Sequence, residues 1–569
     1  MEELQRVAED PQIAYFSMEI GLTDEIRTFS GGLGILAGDT LKSAAELNIP
    51  MIAVTLASRK GFFRQHLDAE GRQTEEPDDW GLEEKLQPIP RKVHVRIEGR
   101  DVAVRAWCYK VACPVTDWKV PIFYLDTNLP ENDELDRGLT DCLYGGDKRY
   151  RLKQEIILGI GGVLMLNALG FRVKKYHMNE GHAAFLTLEL LRRFKRDIES
   201  VWDEKEVWDF ERVKNLCVFT THTPVEAGHD RFPYDMVKEV IGEFIPLDVL
   251  KELAGSDDLN MTLLAMNLSK YINGVAKKHG EVSRGLFPGY EIKAITNGVH
   301  SHTWTYKSFA RLYDRYLPGW ANEPELFVRV DKIPADEIWD AHMDAKKELI
   351  DCVNEKTGVG MDYDTLTMGF ARRATSYKRA NMLFSDIERL KRIGGGKLQI
   401  IYAGKAHPRD SEGKRIIEDI FRKIAELKGS VKAVFLENYN IDLAKKLVSG
   451  VDVWLNTPMR PREASGTSGM KAAHNGVLNF SVLDGWWLEG HIEGYTGWSI
   501  GPGQAESVLS HGTSDVEDLY GKLEKEIIPI YYENRGLWIK MMESAIGKIA
   551  YYFNSHRMMR RYVTEAYIR

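Results

Sequence analysis

The sequence predicts an α/β protein with two sheet-bearing halves, and three observations carry that prediction. Short apolar runs alternate with longer amphipathic segments, the pattern of strands joined by crossover helices. The runs fall into two groups, separated by a mostly helical stretch over 306–362. Glycine-rich and basic clusters follow several runs directly, where open parallel sheets bind ligands.

In the first half the expected strands are Ile13–Met18, Met51–Ala57, Val120–Leu125 and Leu216–Thr220. Lys92–Glu98 and Val102–Val111 read as a hairpin-like antiparallel insertion. The glycines of Gly159-Ile160-Gly161-Gly162 continue a helical pattern from Gln154 instead of following a strand, which excludes a dinucleotide-binding turn. A domain boundary is expected near Thr305. Beyond it, strands are expected at Leu366–Ala371, Leu398–Ala403, Ala433–Leu436 and Val451–Leu455. From Leu537 onward Ile539, Met542, Ile546, Ile549 and Tyr552 keep a helical apolar period.

Composition narrows the function classes. A chain of 569 residues is too long for one core, and 44% hydrophobic with 28% charged residues is ordinary for a globular enzyme. A net charge of -8 argues against a nucleic-acid partner and against a basic membrane-binding surface. The five cysteines form no CxxC pair, so neither a zinc knuckle nor a disulfide framework is indicated. With no apolar leader and no run long enough to span a bilayer, a cytoplasmic location is expected. His222, Glu226 and His229 have ligand-like spacing, but Pro224 and Gly228 interrupt the helix it requires, and no metal is expected.

Three segments carry chemistry. In Glu463-Ala-Ser-Gly-Thr-Ser-Gly-Met-Lys471 the small residues let backbone approach a large anion, and the lysine is placed to hold an aldehyde cofactor as a Schiff base. Ser30-Gly31-Gly32-Leu33-Gly34 opens a helix containing Leu36, Leu41 and Ala44, and amides at a helix start favour an anion. Arg372-Arg373-Ala-Thr-Ser-Tyr377-Lys378-Arg379 puts four positive charges in eight residues. Each has a plainer reading: a glycine-rich helix start, a close-packed turn and a solvated charged face.

The Glu463–Lys471 run, with Asn475-Gly476, resembles the pyridoxal-phosphate attachment motif of the glycogen and α-glucan phosphorylases. Other motifs follow in family order from near residue 13 to about residue 490. They include Gly31–Gly34, Asp78-Asp79-Trp80, Arg151–Glu155, Asn273–Ala276, Thr296-Asn297-Gly298, Tyr377-Lys378-Arg379, Gly404-Lys405-Ala406 and Phe435–Tyr439. The resemblance implies two Rossmann-like domains, 1–305 and 306–569, facing a central cleft in the B-type glycosyltransferase architecture, with the C-terminal helix crossing back. It implies reversible, retaining phosphorolysis of an α-1,4-glucan to α-glucose 1-phosphate, with the phosphate of pyridoxal 5'-phosphate relaying the proton.

Residue by residue, it implies that Lys471 anchors the cofactor and that Arg373 and Lys378 clamp the phosphates, with His182 also catalytic. Tyr439, Asn440, Gly466, Thr467 and Lys378 would contact the cofactor. Gly31, Gly32, Leu33, Glu463, Ser465, Gly466, His222 and Asn273 would contact substrate. The chain departs from the long forms at Lys270, at His300–Trp304 and at Trp486-Trp487. Its first expected strand begins near Ile13, so a short form without the N-terminal phosphorylation and nucleotide switch is expected. Glucan and phosphate are the expected partners, and homo-oligomerisation is left open. The rivals are a nucleotide-sugar glucosyltransferase of the same fold, weakened by Ser30 where synthases carry lysine, and a silent glucan-binding homologue, weakened by Lys471, Arg373 and Lys378.

Overall fold

The computed structural model describes residues 12–197, 204–502 and 513–568. Its first sheet has nine strands: β1 (Ile13–Ser17), β2 (Met51–Leu56), β3 (Gln87–Ile97), β4 (Arg100–Ala112), β5 (Lys119–Asp126), β6 (Lys175–Asn179), β7 (Cys217–Thr220), β8 (Tyr271–Gly274) and β9 (Ile292–Ala294). They lie in the order β9-β8-β7-β6-β1-β2-β5-β4-β3, parallel as far as β5 and antiparallel beyond it. Every residue of β1 and β2 is buried, because helices cover both faces of a parallel sheet and apolar runs then need not alternate. The expected hairpin is β3–β4. It is no separate insertion, because β4 pairs with β5 from Arg105 to Ala112 and extends the main sheet.

The second sheet holds β10 (Leu366–Ala371), β11 (Leu398–Ala403), β12 (Lys432–Leu436), β13 (Val453–Asn456), β14 (Leu478–Val482) and β15 (Gly497–Ile500). All are parallel, in the order β12-β11-β10-β13-β14-β15. The direction of strand addition reverses between β10 and β13, and in the first sheet between β1 and β6. Such switch points open a crevice at the carboxyl ends of the strands. The loops leaving these four strands begin at Met18, Glu180, Arg372 and Thr457.

Gly159 and Gly162 lie in one long helical run, Lys148–Ala168, with a π-helical turn at Ile157–Gly161. A Cβ on Gly162 would stand 2.5 Å from the Phe16 ring, so this glycine lets the helix approach β1 closely. The C-terminal helix Ser555–Tyr562 and the turn after it pack into the first unit, where Met558, Met559, Tyr562 and Tyr567 share a core with Ile13, Tyr15 and Leu41. Tyr567 meets His177 of β6 at 2.7 Å. The chain therefore crosses back, as expected. A hairpin of the first unit, Arg64–Leu67 with Gln73–Glu76, reaches over the second. There Gln65 donates to the Gly404 carbonyl at 3.0 Å, and Gln73 to the Ala406 carbonyl at 2.9 Å.

Candidate active site

The site gathers around the Glu463–Lys471 loop. Lys471 lies in the short helix Ser468–Ala473, which Gly469 lets pack closely on β14: a Cβ there would stand 2.2 Å from Asn479 Oδ1. Asn475 and His474 fasten the following turn to the short helix Ser301–Trp304 through the Trp304 carbonyl and Ser301 Oγ. The Lys471 ammonium sits 3.8 Å over the Trp304 ring, whose Nε1 donates to Asp39 at 2.8 Å. Burial pushes the amine down to about 8, while Asp39 opposes the shift. A substantial unprotonated fraction near neutral pH is what a carbonyl-binding lysine needs.

Glu463 opens the loop and is buried. Its carboxylate accepts from Lys378 Nζ at 2.7 and 2.9 Å and pairs with Arg372 at 2.8 Å. Burial opposes its ionisation, but Arg372 and Lys378 overcome this and hold its carboxyl below the ordinary range. Its backbone N–H donates to Asp484, whose carboxyl is raised to about 6, first by burial. Gly466 has φ +87°, and a Cβ there would stand 3.2 Å from the Glu463 side chain. Ser465 Oγ, Thr375 Oγ1 and Asn456 Oδ1 are buried without a hydrogen-bond partner among the described residues. Unsatisfied buried polar atoms of this kind mark a place built for a polar ligand.

Across the crevice, the Ser30–Gly34 loop opens the helix Gly32–Glu46. Gly31 and Gly32 border open space. The Ser30 and Gly31 N–H groups donate to Glu19 Oε2 at 2.6 and 3.2 Å, and the Tyr144 hydroxyl donates to Glu19 Oε1 at 2.8 Å. Tyr144 meets His182 edge-on at 5.8 Å between ring centres. His182 is pushed down to about 3, by burial and then by Arg151, so it is neutral at pH 7. His222, likewise lowered by burial to about 3, pairs with Asn179 at 2.7 Å.

Several residues stand differently from the sequence expectation. Arg373 is exposed, and it is Arg372 that meets Glu463. Asn440 is exposed and spends its side chain capping the helix Ile441–Gly450, while half-buried Tyr439 lies within the influence of Arg372. Asn273 is fully buried in a network with Thr220 and Tyr562. Thr467 precedes the Lys471 helix without a side-chain cap. Glu19, Tyr144 and Asp484 also stand here and are not singled out by the sequence, while Arg372 reads there only as part of the basic cluster, with the phosphate role given to Arg373. Arg372 had a signal, as the residue immediately after β10.

A family model described as carbohydrate phosphorylase matches residues 24–110 and 246–493, which hold the glycine loop, the basic cluster and Lys471. The chain belongs to the carbohydrate phosphorylase family. A maltodextrin phosphorylase from Thermococcus litoralis is 40% identical over 98% of this chain and 70% of its own length. A glycogen phosphorylase from Aquifex aeolicus is 36% identical over 98% of this chain and 86% of its own. An uncharacterised protein of Methanocaldococcus jannaschii, 32% identical, matches over 97% of this chain and 99% of its own length. These three relatives each match nearly the whole of this chain, both sheets included. No helix among the described residues is long and apolar enough to cross a membrane.

Proposed function

We propose that this chain is an α-1,4-glucan phosphorylase that releases α-glucose 1-phosphate from non-reducing ends, reversibly and with retention. The observation that carries this reading is the buried Lys471, close to neutral pKa, in a crevice that also holds Arg372, Lys378 and the Gly31–Gly32 loop. Pyridoxal 5'-phosphate fits that crevice. Lys471 would hold its aldehyde carbon, and the Gly466–Thr467 backbone, Lys378 and Arg372 would hold its phosphate. When bound, the cofactor supplies a phosphate group that acts as general acid toward the glycosidic oxygen through the substrate phosphate.

The chain's own residues do the rest. Arg372 and Lys378 neutralise the charge of two phosphates brought close together, as charge-assisted donors inside a desolvated site. Arg373 stands at the exposed rim, where inorganic phosphate arrives. Glu463 and Ser465 bind sugar hydroxyls, so the two cations must pass from the Glu463 carboxylate to phosphate as the site fills. Neutral His182 and His222 offer the glucan hydrogen-bonding groups without adding charge. With a phosphate dianion balancing the developing oxocarbenium charge, a catalytic carboxylate pair is unnecessary.

The decisive measurement is glucose 1-phosphate formation from maltose, longer maltodextrins and glycogen, with and without phosphate and added cofactor. We expect release that requires both. Turnover only with a nucleotide sugar would replace this reading with the glucosyltransferase one.

A further inference from the structure

One buried carboxylate receives the neighbours of both members of the Lys378–Glu463 pair. Asp515, in the first turn of the helix Thr513–Lys522, is 2% exposed. Arg379 Nη2 donates to its Oδ2 at 2.8 Å, and Arg460 Nη2 donates to its Oδ1 at 2.6 Å. Arg379 directly follows Lys378, and Arg460 stands three residues before Glu463. Gly501, at φ +81°, leaves room for the carboxylate: a Cβ there would stand 1.9 Å from Asp515 Oδ1.

The two segments are also laced to each other. Arg379 Nε donates to the Thr457 carbonyl at 2.8 Å, and its Nη2 to the Pro458 carbonyl at 2.9 Å. The Thr457 hydroxyl stands 3.0 Å from both the Lys378 and the Arg379 carbonyls, and the Met459 N–H donates to the Tyr377 carbonyl at 2.7 Å. Arg379 is left-handed at φ +46°, a conformation costly for a residue with a Cβ, and its guanidinium contacts hold the turn in it. Two guanidinium groups, with side chains only 18% and 14% exposed, share the one carboxylate. Without it they would stand as unpaired, mutually repelling cations in a desolvated place. The turn Ser376–Lys378 would then part from the loop 457–463.

We propose that Asp515 is a positioning residue for the phosphate site: through Arg379 and Arg460 it fixes the register between Lys378 and Glu463, and so the place where Lys378 meets a phosphate group. The inference rests on the function proposed above, in which Lys378 holds the phosphate of pyridoxal 5'-phosphate. Lys378 Nζ sits on both Glu463 oxygens, at 2.9 and 2.7 Å. It passes from carboxylate to phosphate by a swing of its side chain, and the reach of that swing is set by where the backbone is pinned. A charge-assisted hydrogen bond weakens steeply once its atoms stand beyond ordinary bonding distance. Loss of the pin should therefore cost phosphate binding, while the aldehyde pocket at Lys471, on its own helix Ser468–Ala473, stays in place.

The test compares pyridoxal 5'-phosphate with pyridoxal, which has the aldehyde but no phosphate, as ligands of the full chain freed of cofactor. Binding is followed by absorbance and by quenching of tryptophan fluorescence. In the wild type we expect the phosphate form to bind more tightly. Asp515→Asn should shrink that preference about tenfold, the worth of a lost charge-assisted hydrogen bond, and leave pyridoxal binding within about twofold. General destabilisation would weaken both ligands alike. Glu517→Gln, which removes an exposed partner of Arg389 on the same helix, should change neither. Should Asp515→Asn fold poorly by circular dichroism, Arg379→Lys, which keeps the charge and loses the guanidinium fork, should show the same loss of preference. An undiminished preference in a folded Asp515→Asn, or equal losses for both ligands, would overturn the inference and leave the proposed function standing. Wild-type chain that binds neither ligand, or both equally, would overturn the proposed cofactor site and this inference with it.

Discussion

The two walls of the crevice solve the same electrostatic problem with different materials. On the first unit, Glu19 accepts from two backbone N–H groups and the Tyr144 hydroxyl. On the second, Glu463 accepts from the side chains of Lys378 and Arg372. In each case a carboxylate of the chain lies where an anion is favoured. Backbone donors at a helix start are fixed by the helix, so the first wall offers a rigid, weakly polar cradle. Side-chain cations can rotate, so the second wall can exchange its internal carboxylate for a phosphate at little structural cost. Under the proposed function recognition would be divided: a fixed cradle would set position, and movable cations would supply the strength.

Three experiments sharpen or break that division. The largest effect is expected at Lys471, on the movable wall. Lys471→Met should abolish cofactor retention and lower glucose 1-phosphate formation by about 10⁴-fold, the upper range for losing general acid catalysis. Borohydride reduction and peptide mapping of the wild type should place the pyridoxyl group on Lys471, and its appearance on another lysine would break the assignment. The same variant has a pH signature without cofactor. Because folding lowers this lysine to about 8, the unfolded chain binds the extra proton between pH 8 and its ordinary range near 10.5. This lysine should thus add a rise of about 3 kcal/mol at most across that window, and the rise measured by denaturant titration should be smaller in Lys471→Met, where Lys405, also lowered to about 8, still contributes.

Next come the two adjacent arginines. Removing Arg372 takes a buried charge-assisted partner worth about 1.5–3 kcal/mol, so Arg372→Ala should raise the phosphate KM by about 10–100-fold. Exposed Arg373 is screened by solvent, and Arg373→Ala should change it less than about fivefold, with the remainder erased by salt. Equal losses in the two variants would mean that the cationic wall extends to the rim. The smallest effect is expected at the rigid cradle. Glu19→Gln keeps an acceptor for the loop amides and removes a negative charge, so phosphate KM should fall by about two- to fivefold. A rise in KM would show that the carboxylate organises the loop for its ligand, and the two walls would then differ less than argued above.

What could be read from the sequence follows from burial. β1, β2, β10 and β11 stand out because strands covered on both faces are unbroken apolar runs. β6 and β8 escape notice because their polar residues are satisfied by the C-terminal segment. His177 bonds Tyr567 across 390 residues, and Asn273 bonds Tyr562 across 289. The motif loops around Lys471, Lys378 and Glu463 are legible because their residue types are costly to keep without a use. Which of Arg372 and Arg373 turns inward is not legible, since it depends on how the chain leaves β10. The meeting of Arg379 and Arg460 at Asp515 is hidden for the same reason as β6: the arginines stand 136 and 55 residues from the carboxylate and reach it only once the chain has folded.

That closure has a consequence for synthesis. Domains generally fold as they leave the ribosome, N-terminal first. Here the first unit's core includes Met558, Met559, Tyr562 and Tyr567, which are translated after the whole of the second sheet. The first unit must therefore wait, with His177, Thr220 and Asn273 lacking their tyrosine partners, until the second unit has emerged. The first core is thus finished by residues translated after the second sheet, and a nascent chain closes that core only in a late step.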